Sequence, residues 1–173
     1  MSVALRPYLP ADAGRCAAIF RAAIAEIASE DYSEGQCAAW AARADDLAAF
    51  AQSLAGMLSL VATEDGEVVG FASLKGADRV EMLYVDPEFV GHGVGATLLD
   101  ALEKIALSRG AAKLTAEVSD TARPLFLARQ FVAERRNVRQ LDDEWLGNTS
   151  MSKALAAKPA RPSQPSIEPP DEP

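Results

Sequence analysis

The chain has 173 residues, 49% of them hydrophobic, with 17 basic residues against 25 acidic ones and a net charge of −8 at pH 7. That length supports one domain with a sizeable core and is too short for two. The negative balance excludes a general electrostatic attraction to nucleic acid or anionic lipid, so an anionic ligand has to be gripped by local geometry.

Residues 3–8, VALRPY, read as a short strand, and 10–28 as a helix with Ile19, Phe20, Ala23 and Ile27 on one stripe. The N-terminal stretch lacks the basic-then-apolar layout of a leader and no later run approaches a membrane span, so a soluble cytoplasmic protein is expected. A second helix, 33–43, opens on Ser33 as N-cap with Glu34 and Gln36 in its first turn, and 46–55 reads as a third. Cys16 and Cys37 sit in these alanine-rich patterns with no second Cys or His at ligand spacing. They read as buried small side chains in a reducing compartment, and no metal is expected.

Segments 58–63 and 67–74 flank Asp65-Gly66, a strong hairpin signal, and 79–85 is a third strand. In the following helix Val94, Leu98, Leu102, Ile105 and Ala106 share a face, and Gly110 supplies a stop. Strand 113–118 should lie parallel to 79–85, because a helical crossover joins them. Residues 121–129 form a helix with a proline near its first turn, and 131–141 and 148–155 are two further strands around a turn. The end of the chain holds six of the ten prolines in its last fifteen residues and reads as disordered over 157–173.

The stretch YVDPEFVGHGVGATLLDALE places Gly91, Gly93 and Gly95 at alternating positions where a helix begins. Glycines there serve a tight loop with packing duties, or let an anion approach the backbone at the positive end of a helix. A dinucleotide fingerprint also matches, through Gly91, Gly93 and Ala96, with Glu117 about 20 residues further on. Against it, residues 86–90 separate the strand from the first glycine, and only one further helix-and-strand unit follows.

The same stretch resembles motif A of the GNAT N-acetyltransferase superfamily, in which a strand, a glycine loop and a helix cradle the pyrophosphate of acetyl-coenzyme A. VGHGVG, residues 90–95, fits the loop; GEVVGFASL looks like the preceding strand, and TARPLFLARQFVAERR like the helix and strand closing the groove. DYSEGQCAAWA, 31–41, is similar to a segment of one bacterial subgroup. The resemblance covers about residues 3–155 and implies an α/β (α+β) fold in a domain spanning 1–156. Its twisted mixed sheet would have six to seven strands flanked by about four helices. It implies acetyl-CoA as co-substrate, held by Val90, Gly91, His92, Gly93, Val94, Gly95 and Ala96, with pantetheine along Leu83 and Val85 and beside Phe126. Successive main-chain N–H groups at a helix start bind a diphosphate without lysine, which suits an acidic chain.

Three departures bear on affinity and chemistry. Val90 stands where the family has Gln or Arg, which removes a side-chain donor and should weaken cofactor affinity without abolishing it. Gln130-Phe131 replaces Gly-Phe, so the helix before it must stop without glycine. Phe126 stands where many members carry the tyrosine that protonates the departing thiolate; with a thiol pKa near ~8.5, water can replace it.

Acetyl transfer needs a neutral amine, hence a base. Glu81 resembles in type and place the strand carboxylate used by several members; otherwise it is a solvated or ion-paired residue. Tyr84 is the candidate acid, or else a packing residue with a satisfied hydroxyl. Alternation places Glu81 with Leu83 and Val85 and puts Tyr84 with Met82 on the other face, so the two are expected on opposite sides. Glu26 and Tyr32 are candidates for the acceptor pocket. His92 reads as a surface side chain near phosphate, Arg123 and Arg129 as solvated helix residues or phosphate contacts, and Trp40 and Trp145 as core or substrate-wall aromatics. The expected reaction is direct transfer in a ternary complex to a small-molecule or peptide amine. An acidic chain suits a cationic acceptor such as a polyamine, an aminoglycoside or a lysine side chain. A homodimer is an allowed assembly, and neither nucleic acid nor membrane is a partner. The alternative is an acyl-CoA-binding module of the same fold that senses or recognises without turnover, a reading favoured by Phe126 and Val90.

Overall fold

The computed structural model describes residues 2–156, so the expectation for 157–173 falls outside the described residues. Its strands are β1 (Ala4–Pro7), β2 (Leu58–Glu64), β3 (Glu67–Lys75), β4 (Arg79–Val85), β5 (Lys113–Ser119), β6 (Val132–Leu141) and β7 (Glu144–Ala154). They form one seven-stranded sheet in the order β1-β2-β3-β4-β5-β7-β6. The turn between β2 and β3 has Asp65 and Gly66 both at positive φ, 49° and 87°, the hairpin geometry that Asp-Gly favours. β4 and β5 are parallel, as the helical crossover requires, and the other neighbours are antiparallel.

Five α-helices are described: α1 (Ala13–Glu26), α2 (Glu34–Ala41), α3 (Leu47–Ala55), α4 (Val94–Ser108) and α5 (Arg123–Ala128). The helix expected over 10–28 is shorter, with 3-10 turns at Pro10–Asp12 and Ala28–Glu30 on either side of α1. The Asp12 carboxylate fixes this start by accepting the Leu9 N–H at 2.8 Å and pairing with Arg6, which holds it below the usual carboxylate range. Ser33 caps α2 as expected, accepting the Gln36 N–H at 3.2 Å while Gln36 Oε1 accepts the Ser33 N–H at 2.8 Å. The last strand starts at Glu144 instead of 148, because the turn lies at Asp142-Asp143 with Asp142 at φ 52°.

Two apolar clusters cover the sheet. One packs α4 through Leu98, Leu99 and Leu102 onto Val69, Ala72, Leu74 and Val80; the other packs Ile19, Phe20 and Ile24 of α1 with Phe50 and Leu54 of α3 onto Val61 and Phe71. Each such fully buried side chain contributes about 1.5–3 kcal/mol, so the sheet is held from both faces. Gly70 sets how close α4 comes, since a Cβ there would lie 2.9 Å from Val94 Cγ1 and 3.1 Å from the Tyr84 carbonyl oxygen.

After α5, Gln130 itself takes the left-handed conformation, φ 68°, while the Phe131 N–H closes onto the Phe126 carbonyl at 3.0 Å. A side chain there costs about 1 kcal/mol that glycine avoids. Gln130→Gly is therefore expected to raise the urea unfolding free energy by about 1 kcal/mol with the m-value unchanged.

Two irregularities in the middle of the sheet prepare the site. β4 and β5 pair only at Arg79 with Thr115 and Val80 with Ala116, after which they part. Between β3 and β4 the register jumps from Ser73–Met82 to Leu74–Val80, leaving Glu81 as the extra residue of a β-bulge.

Candidate active site

The glycine loop is held from below by Asp86. Its N–H donates to the Val69 carbonyl at 2.9 Å, and its carboxylate accepts the Glu88 N–H at 3.0 Å and pairs with Arg15 of α1. Arg15 also donates to the Val68 carbonyl at 2.9 Å, tying α1, β3 and the loop together. Gly91 and Gly93 have φ of 84° and 82°, and Gly93 is the N-cap of α4. Gly95 serves a different purpose: a Cβ there would lie 3.0 Å from Leu125 Cδ2.

Among the described residues the N–H groups of Gly91, Gly93, Val94, Gly95 and Ala96 donate to no backbone carbonyl, whereas those of Val90 and His92 are spent on Pro87 at 3.4 Å and Phe89 at 3.2 Å. The donor set is therefore narrower than the run 90–96 expected from sequence. Val90 still lines the groove with its side chain, but His92 does not; its exposed ring stands edge-on to Phe89 at 6.0 Å.

From this loop a cavity of about 430 Å³ runs between the parted ends of β4 and β5, walled by α5 on one side and by Ile24 and Ile27 at the end of α1 on the other. Because the Asp86 N–H points to β3, the two-residue alternation turns the main-chain groups of Leu83 and Val85 the other way, into the gap. An extended amide-bearing chain can pair there as a missing strand would. Phe126 lines this cavity, buried and edge-on to Phe131 at 4.9 Å, with no proton to give.

Val85 to Glu81 is about 13 Å at ~3.3 Å per residue. At that far end the groove meets a second cavity of about 440 Å³, and Trp40, Val80, Glu81, Tyr84, Glu117 and Ser119 line both. The expectation that Glu81 and Tyr84 face opposite sides is thus corrected. The bulge at Glu81 breaks the alternation and brings both to the same junction. Glu81 Oε2 lies 3.1 Å from Arg79 Nε. Tyr84 packs against Phe20 at 4.6 Å and Phe71 at 5.6 Å, and burial pushes its phenol up to about 12, partly offset by the Trp40 indole. It keeps its proton throughout the neutral range.

Glu117 was legible only as a ribose ligand in the dinucleotide reading. Here it lines the same junction as Glu81, accepting from Ser150 Oγ at 2.8 Å and Asn137 Nδ2 at 2.9 Å. Tyr32 lines the second cavity, but its hydroxyl donates to the Gly147 carbonyl at 2.7 Å and accepts the Asp120 N–H at 2.9 Å, which makes it a wall and a brace. Glu26 is not brought to either cavity: Ala23, Ile24, Ile27 and Ala28 form the inward face, and Glu26 falls on the exposed one. Trp145 is 58% exposed on the β6–β7 hairpin, neither core nor cavity wall. Arg129 pairs with Asp100 at 3.0 Å and Arg123 is exposed, both outside the cavities. Both cysteines are buried free thiols, Cys37 donating to the Tyr32 carbonyl at 3.9 Å and Cys16 with its thiol pushed up to about 12 by burial, and neither lines a cavity. Among the described residues no cluster of His, Cys, Asp and Glu is arranged to hold a metal ion, and no helix is long and apolar enough to cross a membrane.

The chain that builds this site matches known proteins. Residues 28–155 match the family model described as Acetyltransferase (GNAT) domain. The chain is 32% identical over 150 residues to YafP, an uncharacterized N-acetyltransferase of Escherichia coli strain K12, covering 87% of this chain and 95% of that one. Among solved structures, the GCN5-related N-acetyltransferase from Rhodopseudomonas palustris superposes with a TM-score of 0.88 at 54% identity, over 90% of this chain and 97% of that one. The Salmonella typhimurium protein yncA, solved with its cofactor acetyl-CoA, gives 0.65 at 23% identity, over 95% of this chain and 100% of that one. The chain belongs to the GNAT acetyltransferases, and acetyl transfer is its chemistry.

Proposed function

We propose that the protein transfers the acetyl group of acetyl-CoA directly to a primary amine of a small-molecule or peptide acceptor. The observation that carries this is the continuous path from five uncommitted N–H groups at the start of α4, along Leu83 and Val85, to Glu81 and Tyr84. The diphosphate would bind at the loop, where helix dipole and amides act together. Pantetheine would run in the gap, with the thioester beside the bulge. The binding of acetyl-CoA by yncA, a protein of the same fold, supports this reading.

Glu81 takes a proton from the incoming ammonium, directly or through one water. The freed nitrogen attacks the thioester carbon, the tetrahedral adduct gives up its second nitrogen proton to solvent, and the C–S bond breaks to expel the thiolate. Tyr84, protonated with a pKa of about 12, donates a hydrogen bond to that sulfur. A thiol near ~8.5 is the stronger acid, so the proton that finally rests on sulfur comes from solvent. Most of the rate comes from holding the two reactants together.

In this reading the transferase unit is 1–156, acting in the cytoplasm without a metal, nucleic acid or membrane. Val132 and Val138, each 64% exposed on edge strand β6, support self-association as a homodimer, which sedimentation reads directly.

Calorimetry with acetyl-CoA and with NADH, followed by thiol release on an amine panel, tests the proposal. Heat with acetyl-CoA only, release with an amine, and intersecting initial-rate lines are expected. Heat with NADH alone, or parallel lines that mark an acetyl-enzyme, would refute it.

A further inference from the structure

The second cavity carries a charge that the acetyl donor does not use. Arg43, Arg79, Arg135 and Arg139 line it against only two carboxylates, those of Glu81 and Glu117, in a chain whose net charge is −8. The arginines come from separate places: the 3-10 turn Ala42–Ala44, the first residue of β4, and β6, where residues 135, 137, 139 and 141 share one face. Two of them are engaged. Arg79 pairs with Glu81 at 3.1 Å, and Arg135 Nε donates to Asn137 Oδ1 at 2.8 Å. The side chains of Arg43 and Arg139 make no hydrogen bond or ion pair with any described residue.

Guanidinium groups lining one cavity repel one another until an anion joins them, here from solvent-exposed positions at Arg43, Arg135 and Arg139, and a guanidinium fork matches the paired oxygens of a carboxylate or phosphonate. They also repel a polycation, against the expectation drawn from net charge. Trp40, Tyr32, Leu141 and Leu146 supply apolar wall, and about 440 Å³ is the size of a small-molecule site.

We infer that the acceptor is a small zwitterion, an amine that also bears an oxyanion, with the anion held by Arg43 and Arg139 and the amine delivered to Glu81. The role given to the amine rests on the proposed acetyl transfer; the anion site does not.

The test is binding to the CoA-saturated protein, measured by calorimetry on matched sets: propylamine, β-alanine and 2-aminoethylphosphonate, and phenethylamine beside phenylalanine. The anionic members are expected to bind at least about tenfold tighter than their neutral partners, and Arg43→Gln and Arg139→Gln should each cut that advantage several-fold. The carboxylate and phosphonate arms tell which oxyanion is preferred. Equal or tighter binding of the neutral amines, an advantage unmoved in both variants, or no binding of any anionic member at millimolar concentration would overturn the inference. Thiol release is read separately: anion-dependent binding without release would refute acetyl transfer and leave the anion site standing.

Discussion

Glu81→Gln is expected to lower kcat/KM for the amine by about 10²- to 10³-fold while leaving the dissociation constant of acetyl-CoA within about twofold, the scale of a lost general base. The amide keeps the shape and can still accept a hydrogen bond from Arg79, so the bulge should persist; what disappears is a group that takes a proton. Two comparisons sharpen the result. Glu117 lines the same junction, but its two oxygens accept hydrogen bonds from Ser150 and Asn137, so Glu117→Gln should cost markedly less. Tyr84→Phe should cost about tenfold in kcat, the worth of one hydrogen bond to a charged atom, because the phenol donates without surrendering its proton. If Glu117→Gln proved the crippling change and Glu81→Gln the mild one in stopped-flow thiol release, the base would lie on β5 and the assignment to Glu81 would be wrong.

Gly93→Val should raise the KM for acetyl-CoA by about 30- to 100-fold with a much smaller change in the acceptor's KM. Gly93 has φ 82°, a conformation costing a non-glycine residue about 1–2 kcal/mol and a β-branched one more. Nothing lies within 4 Å of a Cβ built there, so conformation and not crowding decides the outcome. Relief comes by rotating the peptides on either side, which turns the Gly93 and Val94 N–H groups away from the anion. Gly14→Ala is the control. Gly14 lies in α1 with open space at its Cβ, so the change should stabilise the fold by about 0.5–1 kcal/mol and leave the KM for acetyl-CoA alone. A Gly93→Val enzyme that binds acetyl-CoA normally would show that the diphosphate is gripped elsewhere.

Much of this was readable from residues. Asp65-Gly66, the Ser33 cap and the apolar face of α4 are local signals, and each forms where its chemistry predicts. The parallel pairing of β4 and β5 followed from chain handedness. What escaped was non-local. A bulge at Glu81 depends on how β3 and β4 slide past each other, and nothing in RVEMLYV marks which residue is extra, so strict alternation separated Glu81 from Tyr84. Glu26 differs for the opposite reason: its place near a helix end says nothing of its side, and helical phase sets it on the outer face. The arginines of the second cavity did have a signal, the two-residue spacing of Arg135, Asn137 and Arg139, but only the position of β6 beyond β7 reveals that this face looks into a cavity.

The bulged junction is a meeting place with two approaches. In the proposed reaction the nucleotide carrier would arrive past the glycine loop and the acceptor past the arginines, because the two cavities share only the residues of the junction. Neither molecule has to vacate for its partner to come or go. Turnover therefore need not follow a compulsory queue, and spent coenzyme should act as a competitor of fresh acetyl-CoA while leaving the amine's doorway unobstructed.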